Sequence, residues 1–168
     1  EFVGVATVRP ELQTPAEVAA TIGTYHVDRR FPGLKPFPRI TQDFDDPGFD
    51  GWFRFASDNR LYMVFDYLTS GPAGTPMVEH LTSRYPGMSL HLDHCARSWP
   101  YAKWAGEMVQ RFPQVCAQLN YTLVTNGVIE YFVETVGAER VLFGTDAPMR
   151  DPRPQAAWVV FTRLPETA

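Results

Sequence analysis

The sequence has 168 residues, 45% of them hydrophobic and 14% aromatic, which is enough apolar side chain to bury a core in one domain. Nineteen acidic against fifteen basic residues leave a net charge of −4, and no run of Lys or Arg supplies the basic footprint of a nucleic-acid binder. No apolar stretch approaches the twenty or so residues that span a bilayer, and the two cysteines, Cys95 and Cys116, suit a reducing compartment, so a cytoplasmic globular protein with no membrane or nucleic-acid partner is expected.

The chain begins at Glu1 directly on the first predicted strand, Phe2 to Val8, with no initiator Met, so a missing N-terminal portion is expected. Thr14-Pro15-Ala16-Glu17 sets a hydroxyl before a Pro whose absent N–H costs nothing at a helix start, and its Thr–Glu spacing is that of a capping box. A second strand, Gly33 to Phe37, sits in a Pro- and Gly-rich stretch that otherwise reads as loop. The third strand is Leu61 to Tyr67, followed by a loop over Ser70 to Pro76 and a helix that Thr75 would cap. His26 and His80 fall in helical segments and are expected on the surface. Leu90 to His94 is the fourth strand, and Ser98 caps a helix to about Phe112 that buries Trp104, Met108, Val109 and Phe112. Val115 to Asn120 is the fifth strand, and Asn126 caps a helix over Gly127 to Val136 that Gly137 ends. Val141 to Asp146 is the sixth strand, and a last helix starts near Pro154 or Gln155.

Strand ends at Val8, Phe37, Tyr67, His94, Asn120 and Asp146 recur every 26 to 30 residues, the signature of repeated βα units and a parallel sheet. The sequence carries neither Gly-x-Gly-x-x-Gly after the first strand nor a P-loop, which weighs against a nucleotide-binding open sheet. An eightfold barrel explains the period better, yet six units cannot close a ring of eight strands. The predicted fold is therefore α/β, an incomplete (β/α)8 TIM barrel of about six units, with residues 1–168 forming a single partial barrel domain.

In such folds chemistry gathers where strands end, so the polar endings Asp66, His94, Asn120 and Asp146 are candidates for function. Asp146 can bind a metal ion or take a proton from water, and its plain structural alternative is a helix cap ahead of Ala147-Pro148. The imidazole of His94 can polarise a carbonyl, shuttle a proton or ligate a metal, the alternative being a hydrogen-bonded structural histidine. His91 lies three residues earlier, on the opposite strand face, so the two cannot chelate one ion. Cys95 lacks a visible base partner and reads as buried and inert. Lys35, unusual within a parallel strand, would need a cavity and an anion, and Arg97, Arg150 and Arg153 follow strand ends where a guanidinium can clamp a substrate carboxylate.

The run Val141-Leu142-Phe143-Gly144-Thr145-Asp146-Ala147-Pro148, with His94 two strand endings earlier, resembles the amidohydrolase-related family of metal-dependent hydrolases and decarboxylases. The resemblance covers essentially the whole chain as that family's third to eighth strands. It implies that Asp146 touches the metal or activates water, and that His94 works on the substrate. Two features depart from the family: the His-x-His pair of its first strand is absent, and Asp66 stands where its fifth strand usually ends in a His ligand. Asp66 suits a hard cation and would weaken a zinc site.

The resemblance implies hydrolysis or decarboxylation of a small carboxylated or cyclic (lactone or amide) substrate. Asp146 and His94 would be catalytic, Asp146 and Asp66 metal ligands, and Arg97, Arg150, Lys35 and Asn120 substrate-binding. The cofactor expected for the complete protein is a divalent metal, zinc by preference, though this chain alone could lack one. The partner expected is a small molecule, with homo-oligomerisation compatible. The alternative is a non-catalytic binding domain or pseudoenzyme that has lost the first-strand ligands.

Overall fold

The computed structural model describes residues 3–37, 43–66, 71–120 and 124–165. Among these, short strands and helices alternate: β1 (Val5–Ala6), α1 (Pro15–Ile22), β2 (Gly33–Leu34), α2 (Pro47–Asp58), β3 (Tyr62–Phe65), α3 (Thr75–Arg84), β4 (Ser89–Leu92), α4 (Trp99–Arg111), β5 (Val115–Leu119), α5 (Val128–Val136), β6 (Val141–Phe143) and α6 (Pro152–Val160). The strand order is β1-β2-β3-β4-β5-β6, as successive βα units require. Each of the six expected strands is present but shorter than its apolar run; Phe2 and Tyr67, placed at strand ends by the sequence, lie outside the described residues. The contacts divide the chain into two compact units, Glu1–Asp66 with Pro76–Leu90, and Tyr67–Thr75 with His91–Ala168.

In the first unit β1 pairs in parallel with β2 (Val5 opposite Gly33), and β2 with β3 (Leu34 opposite Met63). The capping box of α1 is formed: the Glu17 N–H donates to Thr14 Oγ1 at 3.3 Å, and the Thr14 N–H to the Glu17 carboxylate at 2.7 Å. Helix α2, which the βα repeat implies without giving its bounds, opens on Asp-Asp-Pro-Gly. Asp46 caps it by accepting from the Gly48 N–H at 2.8 Å, with Pro47 in the first turn. Its Phe49, Trp52, Phe53 and Ala56 are wholly inaccessible. Phe49 stacks on Phe53 at 5.2 Å, and Phe53 meets the edge of Tyr85 at 5.5 Å. On its outer face Asp50 accepts from Arg54, Arg84 and Tyr85, and the two guanidiniums hold its carboxyl well below the usual range.

His26 is buried at 7% exposure rather than on the surface, and His80 is half-buried. The burial of His26 is compensated at both ring nitrogens: the Trp52 indole donates to Nε2 at 2.9 Å, and Nδ1 lies 2.7 Å from the Phe31 carbonyl oxygen.

In the second unit β5 and β6 pair in parallel, with Leu119 opposite Phe143. Ser98 caps α4 by accepting from the Tyr101 N–H at 3.4 Å, and Trp104, Met108 and Val109 are buried as their spacing predicts. Phe112 falls past the helix end and is only half-buried. Two expected caps differ. Thr75 stands inside α3 behind a 3-10 turn over Pro72–Gly74, and its hydroxyl instead accepts from the Trp104 indole at 2.9 Å. Gly127, left-handed at φ 78°, occupies the N-cap of α5 in place of Asn126. Helix α6 begins at Pro152, behind an Asp151 cap, two residues earlier than expected.

Candidate active site

The second unit gathers its polar strand endings around one buried amide. After Leu92 the chain leaves β4 through Asp93 and His94, and His94 takes a left-handed backbone at φ 59°. The Cys95 N–H donates to the Gln118 carbonyl at 3.1 Å and the Thr125 N–H to the Ala96 carbonyl at 2.8 Å, which pins this turn against β5 and the loop that follows it. Asn120, the first residue past β5, is 5% exposed. Its Oδ1 accepts from the His94 backbone N–H at 2.8 Å and lies 2.9 Å from His94 Nδ1, while its Nδ2 donates to Asp93 Oδ1. The Asp93 side chain is fully inaccessible, its Oδ2 lies 3.6 Å from His94 Nε2, and its backbone carbonyl accepts from the Tyr101 hydroxyl at 2.9 Å.

The ending of β6 joins the same group. The Gly144 N–H donates to the Leu119 carbonyl at 3.0 Å, and a Cβ at Gly144 would stand 3.0 Å from Asn120 Cβ, so glycine allows β6 to close on the amide. Two residues on, Asp146 is also left-handed, at φ 60°, and its carboxylate lies 3.7 Å from Arg150 Nε. Non-glycine residues adopt this backbone rarely and at a cost of about 1 kcal/mol each, and such positions concentrate at functional sites. Asp146 is therefore no simple helix cap; α6 is capped by Asp151 instead.

The other candidates are placed as follows. The Arg97 guanidinium lies over the Tyr101 ring at 4.6 Å. Arg153 closes on Asp151 at the surface. Burial pushes the Cys95 thiol far above its ordinary range, and Sγ donates to the Leu92 carbonyl, so this cysteine is not a nucleophile. His91 is half-buried, and desolvation pushes it down to about 4. In the first unit, Lys35 stands just past β2 rather than within it, and its Nζ meets the Asp66 carboxylate beyond β3 at 3.6 Å.

Asp93 is the functional candidate that sequence reasoning passed over, because it sits between two residues read as strand. A signal was there: an ionisable side chain inside a parallel strand that is covered on both faces must have a partner. Asp93 and Asp146 follow β4 and β6; the Asp93 carboxylate lies 3.6 Å from the His94 imidazole, and that of Asp146 lies beside Arg150. A carboxylate oxygen beside an imidazole is a donor pair that suits a hard or borderline divalent cation.

Parallel βα repeats in chain order with polar side chains at the strand ends are the arrangement of a (β/α)8 barrel. The amidohydrolase family model matches residues 2–168, and the chain belongs to the amidohydrolase family. No curated protein matches the sequence. Among solved structures it is similar to 5-carboxyvanillate decarboxylase from Sphingomonas paucimobilis, with 16% identity and a TM-score of 0.71 over 99% of this chain and 62% of that one. It is also similar to 2,6-dihydroxybenzoate decarboxylase from Rhizobium, with 13% identity and a TM-score of 0.70 over 99% and 66%. A third is 5-carboxyvanillate decarboxylase from Novosphingobium aromaticivorans, complexed with manganese and 4-hydroxy-3-methoxy-5-nitrobenzoic acid, with 17% identity and a TM-score of 0.68 over 98% and 59%. At these identities the likeness is one of fold: six consecutive βα units of a (β/α)8 barrel. The chain spans about three-fifths of the length of these structures.

Proposed function

We propose that the full-length protein is a metal-dependent decarboxylase of a small carboxylated substrate, with its reacting groups at the strand ends of the second unit. The observation that carries this reading is the His94–Asn120–Asp93 arrangement, an imidazole held at one nitrogen by a buried amide with a carboxylate 3.6 Å from the other. The decarboxylases among its structural neighbours, named for 5-carboxyvanillate and for 2,6-dihydroxybenzoate, support the choice of reaction.

Asp146 and Asp93 would hold the divalent ion, which supplies Lewis acidity toward a substrate oxygen. Arg97 and Arg150 place positive charge beside the second unit's strand ends and attract the substrate carboxylate. Decarboxylation breaks the carbon–carboxylate bond and leaves its electron pair on carbon, and that carbon must gain a proton as CO2 departs. His94 takes up a proton from water on Nε2, hands it to that carbon, and is held in place throughout by Asn120. A second reading, hydrolysis of a lactone or amide, would use the Asp146 carboxylate as the base on water, with Arg150 at 3.7 Å orienting it.

The test is CO2 release by the manganese-loaded full-length protein from a panel of phenolic carboxylic acids. Release is expected from at least one, and His94→Asn lowers its rate by about 100-fold or more, as loss of a proton-transfer group does. Hydrolysis of lactones with no CO2 released would establish the second reading. Neither activity in a metal-loaded, folded protein would leave the non-catalytic binding domain.

A further inference from the structure

The amide of Asn120 has an orientation that its partners dictate. Only its oxygen can accept from the His94 backbone N–H, at 2.8 Å, and only its NH2 can donate to the Asp93 carboxylate. The atom 2.9 Å from His94 Nδ1 is thus an oxygen, an acceptor without a hydrogen of its own. A nitrogen at that distance from an acceptor must be the donor, so His94 carries its hydrogen on Nδ1. In the neutral ring the lone pair is then on Nε2, on the side where Asp93 Oδ2 lies 3.6 Å away. Imidazole in water prefers the other tautomer, with hydrogen on Nε2, so the preference is imposed by this site.

The same oxygen also holds the backbone of His94, which is left-handed at φ 59°. Asn120 is 5% exposed, and its oxygen and nitrogen are both engaged by the β4 ending. Its place was expected to be that of a substrate contact; its bonding is that of a clamp. Asp93 is bonded to the amide from the far side, so the three residues form one chain of hydrogen bonds in which each orients the next.

We propose that Asn120 is the positioning residue of this centre, locking His94 in the Nδ1–H tautomer and thereby reserving Nε2 for the reacting molecule. The part of this that concerns Nε2 rests on the decarboxylase reading; the tautomer itself does not.

The experiment is 15N NMR of the histidine ring nitrogens in the metal-free full-length protein at neutral pH, with His94 assigned by its absence in His94→Asn. In the wild type, Nδ1 is expected to carry the hydrogen and Nε2 to resonate as a bare nitrogen. In Asn120→Ala the acceptor is gone, and the ring is expected to move to the Nε2–H form. Asn120→Asp keeps an acceptor oxygen, with a proton shared between its carboxyl and Asp93 in place of the amide hydrogen, and is expected to keep Nδ1 protonated. Turnover follows the same order, with Asn120→Ala losing at least tenfold in kcat and Asn120→Asp recovering part of it. A wild-type ring with its hydrogen on Nε2 overturns the proposal without any variant, and so does a folded Asn120→Ala whose tautomer is unchanged. A tautomer that moves as expected while His94→Asn retains full turnover supports the clamp and overturns the catalytic reading of His94.

Discussion

His94 and Asp146 share a left-handed backbone as well as a position just past a strand, and the neighbourhood of each shows why the strain is tolerated. The N–H of His94 is held by Asn120, and the turn carrying Asp146 closes through the Arg150 N–H, which donates to the Asp146 carbonyl at 3.0 Å. His91 is a contrasting histidine, one that burial keeps neutral. Its value in the folded protein, about 4, lies below the 6.5 of the unfolded chain, so the unfolded state takes up a proton first as pH falls. The stabilisation is complete above about pH 6.5 and is lost progressively toward pH 4, by up to about 3 kcal/mol. Urea denaturation at pH 7 and pH 4.5 should therefore show a larger loss of stability in the wild type than in His91→Gln; equal losses would contradict the burial argument. Of the candidate residues, His94, Asn120 and Asp146 were singled out in the sequence by the rule that parallel strands end in chemistry, and the structure brings His94 and Asn120 together. Asp93 was not singled out, because its role depends on an amide 27 residues away.

Among the elements, α2 shows most plainly what periodicity misses. Its first turn is Pro-Gly-Phe-Asp, poor in helix formers, and a second glycine, Gly51, follows in the next turn. Tertiary packing overrides that deficit, because Phe49, Trp52 and Phe53 fall on one face and are fully enclosed. Phe53→Ala is expected to cost about 3–5 kcal/mol, measured by chemical denaturation, since it removes the ring between Phe49 and Tyr85 and leaves a cavity. A loss below about 1 kcal/mol would mean that α2 does not anchor the first unit. The helices marked by local chemistry were readable. The Thr14 capping box, the Ser98 cap and the Gly137 stop are all formed. Thr75 and Asn126 carried equally good local signals and failed, because a 3-10 turn and a left-handed glycine took their places.

At the scale of the molecule, the recurring strand spacing was the most informative feature, since one βα unit per 26 to 30 residues fixes a parallel sheet in chain order before any contact is known. The end strands of that order carry exposed apolar side chains, Val5 on β1 and Phe143 on β6. Among the described residues no helix is long and apolar enough to cross a membrane. The family's first-strand His-x-His has no counterpart in these residues, and the chain covers about three-fifths of the length of its structural neighbours. The proposed reacting groups all belong to the second unit, and the proposal that binds them is that His94 and Asp146 serve one bound molecule. A double-mutant cycle on kcat/KM for CO2 release, with His94→Asn, Asp146→Asn and the double variant in manganese-loaded full-length protein, tests this most directly. One shared centre predicts that the double variant is scarcely slower than the slower single variant. Losses that multiply independently would place the two residues in separate roles and contradict the account.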